Sequence, residues 1–152
     1  MRKKGDPTQI RRPEVGDFTA WSELYAGYAA FYQVTQTDEM RGQVWGWIND
    51  PAHEVEALLA VKDGQVLGLA HFRAFARPLS ASTGGFLDDL FVSPDARGSG
   101  AAAALIAGVS EEGRRRGWSI IRWITAENNY RARGLYDQVA LRTPWVTYDQ
   151  KL

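Results

Sequence analysis

Residues 92–106 read VSPDARGSGAAAALI. A proline, one arginine, two glycines one residue apart and four alanines stand between the apolar run FLDDLFV (86–92) and the apolar positions of a later segment. The pattern predicts a strand that ends near Val92, then a helix running from Gly98 to about Arg116 and closing on Gly117. The leading N–H groups of a helix have no partner within it, so a helix start that follows a strand is a ready anion site. Gly98 and Gly100 admit φ > 0 and a close backbone approach. Ala101 to Ala104 keep the first turn slim without loss of helix propensity, and Arg97 offers a fork of donors suited to phosphate oxygens. Composition alone leaves two readings open: a diphosphate cradle, or a strand-to-helix turn whose small residues permit close packing.

Outward from this point the chain alternates. SIIRWIT reads as a strand, NNYRARGLYDQVA as a helix and WVTYDQ as a last strand. Upstream, TQIRRP is a short strand ended by Pro13. DFTAWSELYAGYAAFY is an amphipathic helix with Phe18, Trp21, Leu24, Tyr25 and Tyr28 on one face and Asp17 as its N-cap. A second helix begins after Thr37 and stops by Asn49 or Asp50, because Pro51 follows. EALLAVKDGQVLGLAHFRAF reads as a hairpin turning at Asp63-Gly64. No linker or internal repeat divides the sequence, which predicts one domain over 1–152 with a flexible start at 1–7. The order of elements implies an α/β domain with a mixed sheet.

With 18 Lys+Arg against 18 Asp+Glu, no global field attracts a nucleic acid or an anionic membrane, and neither is expected as a partner. Cysteine is absent, which excludes disulfides, zinc-thiolate sites and a cysteine nucleophile. The two histidines, His53 and His71, form no metal-ligand pattern, so no metal is expected. His71 reads as a hydrogen-bonded strand residue. Neither a signal-peptide core nor a membrane-length apolar run is present, and a cytoplasmic address is expected by default.

Two familiar phosphate cradles fit poorly. A P-loop needs Lys and Ser/Thr after its last glycine, where this chain has Ala101 and Ala102. A dinucleotide fingerprint expects an acid about 20 residues on, where Trp118 stands. By contrast, Arg97-x-x-Gly100-x-Ala102 after LFVSPDA resembles the acyl-coenzyme A pyrophosphate loop of the GNAT N-acetyltransferase superfamily. ENNYRARGLYDQVAL is similar to that family's second signature at Asn129, Ala132, Leu135 and Tyr136, and departs from it at Ala140, where the family usually has glycine. Over about residues 8–150 the chain looks most like the histone, polyamine and D-amino-acid acetyltransferase branch. The resemblance implies a mixed, mostly antiparallel sheet with a V-shaped splay between two central parallel strands, flanked by helices. It also implies acetyl-CoA as cosubstrate, a small-molecule or peptide amine as acceptor, and a possible homodimer.

The run LDDLFV refines this picture. In a regular strand Leu87 points away from Leu90 and Val92. If all three serve one core, an extra residue near Asp88 to Leu90 shifts the phase as a β-bulge; otherwise the strand is regular and both of its faces are buried. A bulge would splay this strand from its parallel neighbour, SIIRWIT. By resemblance, N–H groups around Phe91 and Val92 would then receive the thioester carbonyl and pantetheine amides. Arg97, Gly98, Ser99, Gly100, Ala101 and Ala102 would hold the diphosphate, and Asn129 would contact the coenzyme arm.

Acyl transfer to an amine needs the neutral amine, yet a lysine-like group is only about 1 part in 2,500 neutral at pH 7. By resemblance Asp88 is the base. Direct abstraction by an unperturbed Asp is uphill by about 9 kcal/mol, so Asp88 needs a raised pKa, a water relay or only an attracting role. Asp89, with Phe31 and Tyr32 at the end of the first helix, falls in the family's acceptor-binding region. Tyr136 is the acid beside the sulfur. Residue by residue the plainer alternatives are a solvated Asp pair at a strand edge, a helix N-cap at Asn129, and core packing for Tyr136, Phe31, Tyr32 and the tryptophans. With no cysteine for an acyl-enzyme, the expected reaction is direct attack in a ternary complex. The other function class compatible with the motifs is a noncatalytic acyl-CoA-binding module.

Overall fold

The computed structural model describes residues 7–152; the expected flexible start lies, for residues 1–6, outside the described residues. Strand β1 (Gln9–Arg11) leads to helices α1 (Phe18–Phe31) and α2 (Asp38–Ile48). Strands β2 (Glu56–Lys62), β3 (Gln65–Arg77) and β4 (Ser82–Val92) follow, then α3 (Ala101–Arg116), β5 (Ile121–Arg122) and α4 (Tyr130–Val139). The sheet runs β1-β2-β3-β4-β5, with every pair antiparallel except β4–β5.

The local causes are largely those the residues imply. Asp63 and Gly64, at φ 50° and 75°, give the hairpin turn its two left-handed positions. Thr37 Oγ1 accepts from Met40 N at 3.1 Å and caps α2. Gly100 and Gly117 bound α3 with φ of 82° and 74°. That helix starts at Ala101, three residues later than expected, because Gly98 and Gly100 hold the chain in the loop. Asp17 occupies the N-cap position of α1 but does not cap it. Its carboxylate instead accepts from Arg11 Nη1 at 2.6 Å and from Glu14 N at 2.7 Å.

Two cores flank the sheet. Leu58, Ala60, Ala70, Phe72 and Leu87 pack on Ala101, Leu105, Ile106 and Val109 of α3. Leu59, Val61 and Leu69 pack on Trp21 and Leu24 of α1. Neighbours such as Leu58 and Leu59 thus serve opposite faces, which is why β2 reads as an unbroken apolar run.

β4 carries the expected bulge. His71 pairs with Asp89 and Phe72 with Leu87, so Asp88 is the extra residue. Leu87 lies in the α3-side core, with Leu90 and Val92 packed against it. The parallel pairing of β4 with β5 stops at Phe86↔Arg122, one residue before Leu87 and the bulge, and there the two strands part. The expected last strand, WVTYDQ, is not formed: residues 141–152 carry no helix or strand, and β5 lies at the edge of the sheet. Strand propensity needs a ladder partner, and none among the described residues pairs with this segment. Among the described residues no helix is long and apolar enough to cross a membrane.

Candidate active site

The splay opens into a cleft. Its β4 wall is Leu87, Asp88 and Leu90; the opposite wall is Trp123, Ile124 and Thr125, just beyond β5. Tyr136 of α4 and Tyr28 and Tyr32 at the end of α1 complete it. Three of the expected site residues, Asp88, Tyr32 and Tyr136, therefore meet here. Phe31 does not line the cleft; it is 54% exposed and packs edge-on to Tyr32 at 5.1 Å.

Burial, with the Tyr32 hydroxyl nearby, pushes the Tyr136 phenol up to about 12. It stays protonated at neutral pH and so presents a donor to the cleft, with its ring set edge-on to Trp123 at 5.4 Å. Asn129 caps α4 through Oδ1, which accepts from Ala132 N at 3.4 Å, while its Nδ2 reaches Thr125 Oγ1 at 3.4 Å.

The paired aspartates face different surroundings. Burial raises the Asp88 carboxyl above its ordinary range, against the opposing charge and hydrogen bond of Arg73, whose Nε donates to Oδ2 at 3.1 Å. Asp89 is committed inward. Its Oδ2 accepts from Tyr25 OH at 2.8 Å and meets His71 Nδ1 at 2.8 Å. His71 is 1% exposed, and its Nε2 accepts from the Trp21 indole at 3.0 Å, so Nδ1 carries the proton shared with Asp89. Burial pushes the Asp89 carboxyl up, but hydrogen bonds from His71, Tyr25 and Tyr28 outweigh it and hold the carboxyl below the usual range. Burial and the Asp89 charge in turn raise the Tyr25 and Tyr28 phenols.

Backbone donors line the far side of β4. Ser93 N donates to Leu67 O at 2.7 Å, which fixes the two-residue alternation of the β3–β4 ladder. By that alternation the N–H of Phe91 points to β3, whereas those of Leu90 and Val92 face the splay. Of the two strand positions expected, Val92 turns its N–H to the splay and Phe91 does not; that of Leu90 does. The Phe91 ring packs instead on the α1 side, edge-on to Tyr28 at 5.5 Å.

Beyond Val92, the loop at 97–102 presents open backbone donors. Among the described residues the N–H groups of Gly98, Gly100, Ala102 and Ala103 have no partner in the chain, and a Cβ at Gly98 or Gly100 would meet nothing within 4 Å. Ser99 Oγ accepts from Ala101 N at 3.3 Å, and the exposed Arg97 guanidinium has no hydrogen bond or ion pair among the described residues. Open backbone donors at a helix start fit a linked pair of phosphates, while Ala101, 1% exposed, packs in the α3-side core, so close packing of small residues is part of this turn as well.

Reading the residues did not single out Tyr28, Arg73, Leu90, Trp123 or Thr125. Tyr28 sits in the same helical stripe as core residues. Arg73 was within reach of a simple signal, since it lies two residues from His71 and therefore shares its face.

The comparisons agree with this geometry. The family model described as the acetyltransferase (GNAT) family matches residues 21–140. A D-amino-acid N-acetyltransferase of Saccharomyces cerevisiae is 27% identical over 145 residues, 94% of this chain and 90% of that protein. The crystal structure of a ribosomal-protein-alanine N-acetyltransferase from Brucella melitensis superposes with a TM-score of 0.80 at 25% identity, covering 97% of this chain and 100% of that one. An aminoglycoside N-acetyltransferase solved with CoA gives a TM-score of 0.82 at 20% identity, covering 99% of both chains, and so shares the fold. The chain belongs to the GNAT acetyltransferase family and is an acetyl-transferring enzyme.

Proposed function

We propose that this chain, acting as one domain over 1–152, transfers the acetyl group of acetyl-CoA to a primary amine by direct attack in a ternary complex. The acceptor is a small-molecule amine, an amino acid or a lysine side chain. The observation that carries the reading is the convergence of Asp88 and Tyr136 on one cleft whose β4 wall leads to a turn of unpartnered N–H groups.

When bound, acetyl-CoA supplies a thioester carbonyl and a thiolate leaving group. The N–H groups of Gly98, Gly100, Ala102 and Ala103, with Arg97, hold its diphosphate, and Asn129 contacts the arm. Donors at Leu90 and Val92 receive amide and carbonyl oxygens along the splay, where water is scarce and each donor counts for more. Asp88 draws the acceptor ammonium in and takes its proton, through water, more readily than an ordinary carboxylate because burial favours its protonated form. Tyr136 donates a hydrogen bond to the departing sulfur. With its phenol near 12 against a thiol near 8.5, complete proton transfer is uphill by about 5 kcal/mol, so the donor role is the one the value supports. Tyr32 and Phe31 border the acceptor entrance, and Asp89 acts on it indirectly through Tyr28.

A cytoplasmic address belongs to this reading. So does a homodimer, supported by the exposed apolar side chains of residues 141–152. Thiol release from acetyl-CoA, measured over polyamines, lysine peptides and amino acids, tests the reading. Saturable release with at least one amine supports it; coenzyme binding without turnover on any of them replaces it with an acyl-CoA-binding module.

A further inference from the structure

Arg73 and Asp88 stand side by side on the α1 face of the sheet, each roughly one-third exposed. The contact is made by Nε alone, at 3.1 and 3.3 Å to the two carboxylate oxygens. Among the described residues the two terminal nitrogens of Arg73 have no hydrogen-bond partner. The guanidinium lies over the Phe86 ring at 5.0 Å, Phe86 meets Phe75 edge-on at 6.0 Å, and Arg122 lies over Phe75 at 5.5 Å. The Arg122 guanidinium likewise makes no hydrogen bond or ion pair among the described residues. The floor beside Asp88 is thus aromatic, with an uncommitted cation at each end.

Charge decides which acceptor suits such a floor. Asp89 is taken up by His71 and Tyr25, leaving Asp88 as the carboxylate open to an incoming ammonium. With the buried Asp89 charge counted, Asp88 and Asp89 balance Arg73 and Arg122, so a polycationic acceptor would meet no net attraction. A zwitterion needs none. In an α-amino acid one carbon separates ammonium from carboxylate, which matches a carboxylate and a guanidinium already in contact, and the free edge of Arg73 presents the fork that binds a carboxylate.

We propose that Arg73 is the carboxylate anchor of the acceptor site, which makes the acceptor a free α-amino acid. The inference rests on the acetyltransferase reading above and assigns its substrate class. Arg73 holds the carboxylate through its terminal nitrogens while Asp88 faces the amine, so the amine is delivered to the splay with its side chain over Phe86 and Phe75.

The experiment compares each amino acid with its own carboxamide as acceptor, in both hands, with spermidine beside them, following thiol release at several pH values. The wild-type protein should prefer acid over amide by about 10- to 100-fold in kcat/KM, the range expected of a charge-assisted contact. Arg73→Gln should bring that ratio close to one by lowering the rate on acids more than on amides, and Arg73→Lys should restore part of it. Because removing Arg73 also alters Asp88, the acid-to-amide ratio at each pH is the deciding quantity: an effect on the base alone moves both acceptors together. Wild-type rates on carboxamides or spermidine that equal those on amino acids overturn the proposal, as does a ratio unchanged in Arg73→Gln. If that variant does not fold, the wild-type ratio decides alone. Turnover of amines with no acid preference fails this inference and leaves the acetyltransferase reading standing; no turnover of any amine fails both.

Discussion

At the scale of single residues, the site depends on neighbours being pushed apart in proton affinity. Asp88 and Asp89 are adjacent, yet burial raises the first while three hydrogen bonds lower the second. For Asp89 the folded value lies below the unfolded one, so its stabilisation is present above about pH 4 and is lost as pH falls through the folded value. Asp89→Asn should therefore destabilise by about 1–3 kcal/mol at pH 7, since a neutral amide oxygen accepts from His71 and Tyr25 more weakly than the ionised carboxylate does. Thermal unfolding from pH 3 to 7 should show the gap from wild type narrowing toward pH 3. An equal gap throughout would mean that the ionised carboxylate is not its source. Asp88 is read through rate. If both the acceptor amine and Asp88 must lose a proton, log kcat/KM rises with a slope of two on the acid side, and Asp88→Asn should leave a slope of one. Tyr136→Phe, which keeps the ring against Trp123 and removes only the donor, should lower kcat by about 10²-fold with less than about threefold change in coenzyme affinity. Full activity in that variant would remove the phenol from the chemistry.

At the scale of elements, the junction of β4 with β5 sets where the cleft begins. A Cβ at Gly85 would lie 2.5 Å from two atoms of the Trp118 ring and 2.9 Å from Ile121 Cδ1, and a ring packed on the core cannot swing aside. Gly85→Ala should cost about 1–3 kcal/mol and weaken coenzyme binding by forcing the parallel pair apart; unchanged melting and affinity would show that the junction is compliant. Much at this scale was legible in the sequence. The mismatch in phase between Leu87 and the pair Leu90 and Val92 pointed to the bulge, and Gly100 and Gly117 bounded α3. The splay itself came from family resemblance, because two strands parting is a property of a pair and leaves no pattern in either. The bulge also explains why the residues alone, without the family resemblance, could not tell Asp88 and Asp89 apart: the position of one extra residue decides which carboxylate meets His71 and Tyr25 and which borders the cleft. Tyr28 was hidden because a helical stripe looks the same whether it packs or lines a site. The strand at WVTYDQ was expected from propensity and is absent, because propensity cannot say whether an edge waits to pair with it.

At the scale of the whole molecule, that unpaired segment is the part of the fold least consistent with an isolated chain. Leu141, Trp145, Val146 and Tyr148 are 93, 81, 73 and 89% exposed, and β5 is paired with β4 alone. Apolar side chains concentrated in one exposed, strand-competent stretch, in a protein whose sheet keeps an open edge, favour association between copies through that stretch. Light scattering on the purified protein at tens of micromolar should thus give about twice the 17.0 kDa chain mass, and deletion of residues 141–152 should return it to about one. Because both cores are built from residues before 141, the shortened chain should still unfold cooperatively. A wild-type protein that stays at one chain mass over that range would assign the exposed segment no part in assembly. A dimer that survives the deletion would move the interface elsewhere, to the outer faces of α1 and α2, where Phe18 and Trp47 are also exposed.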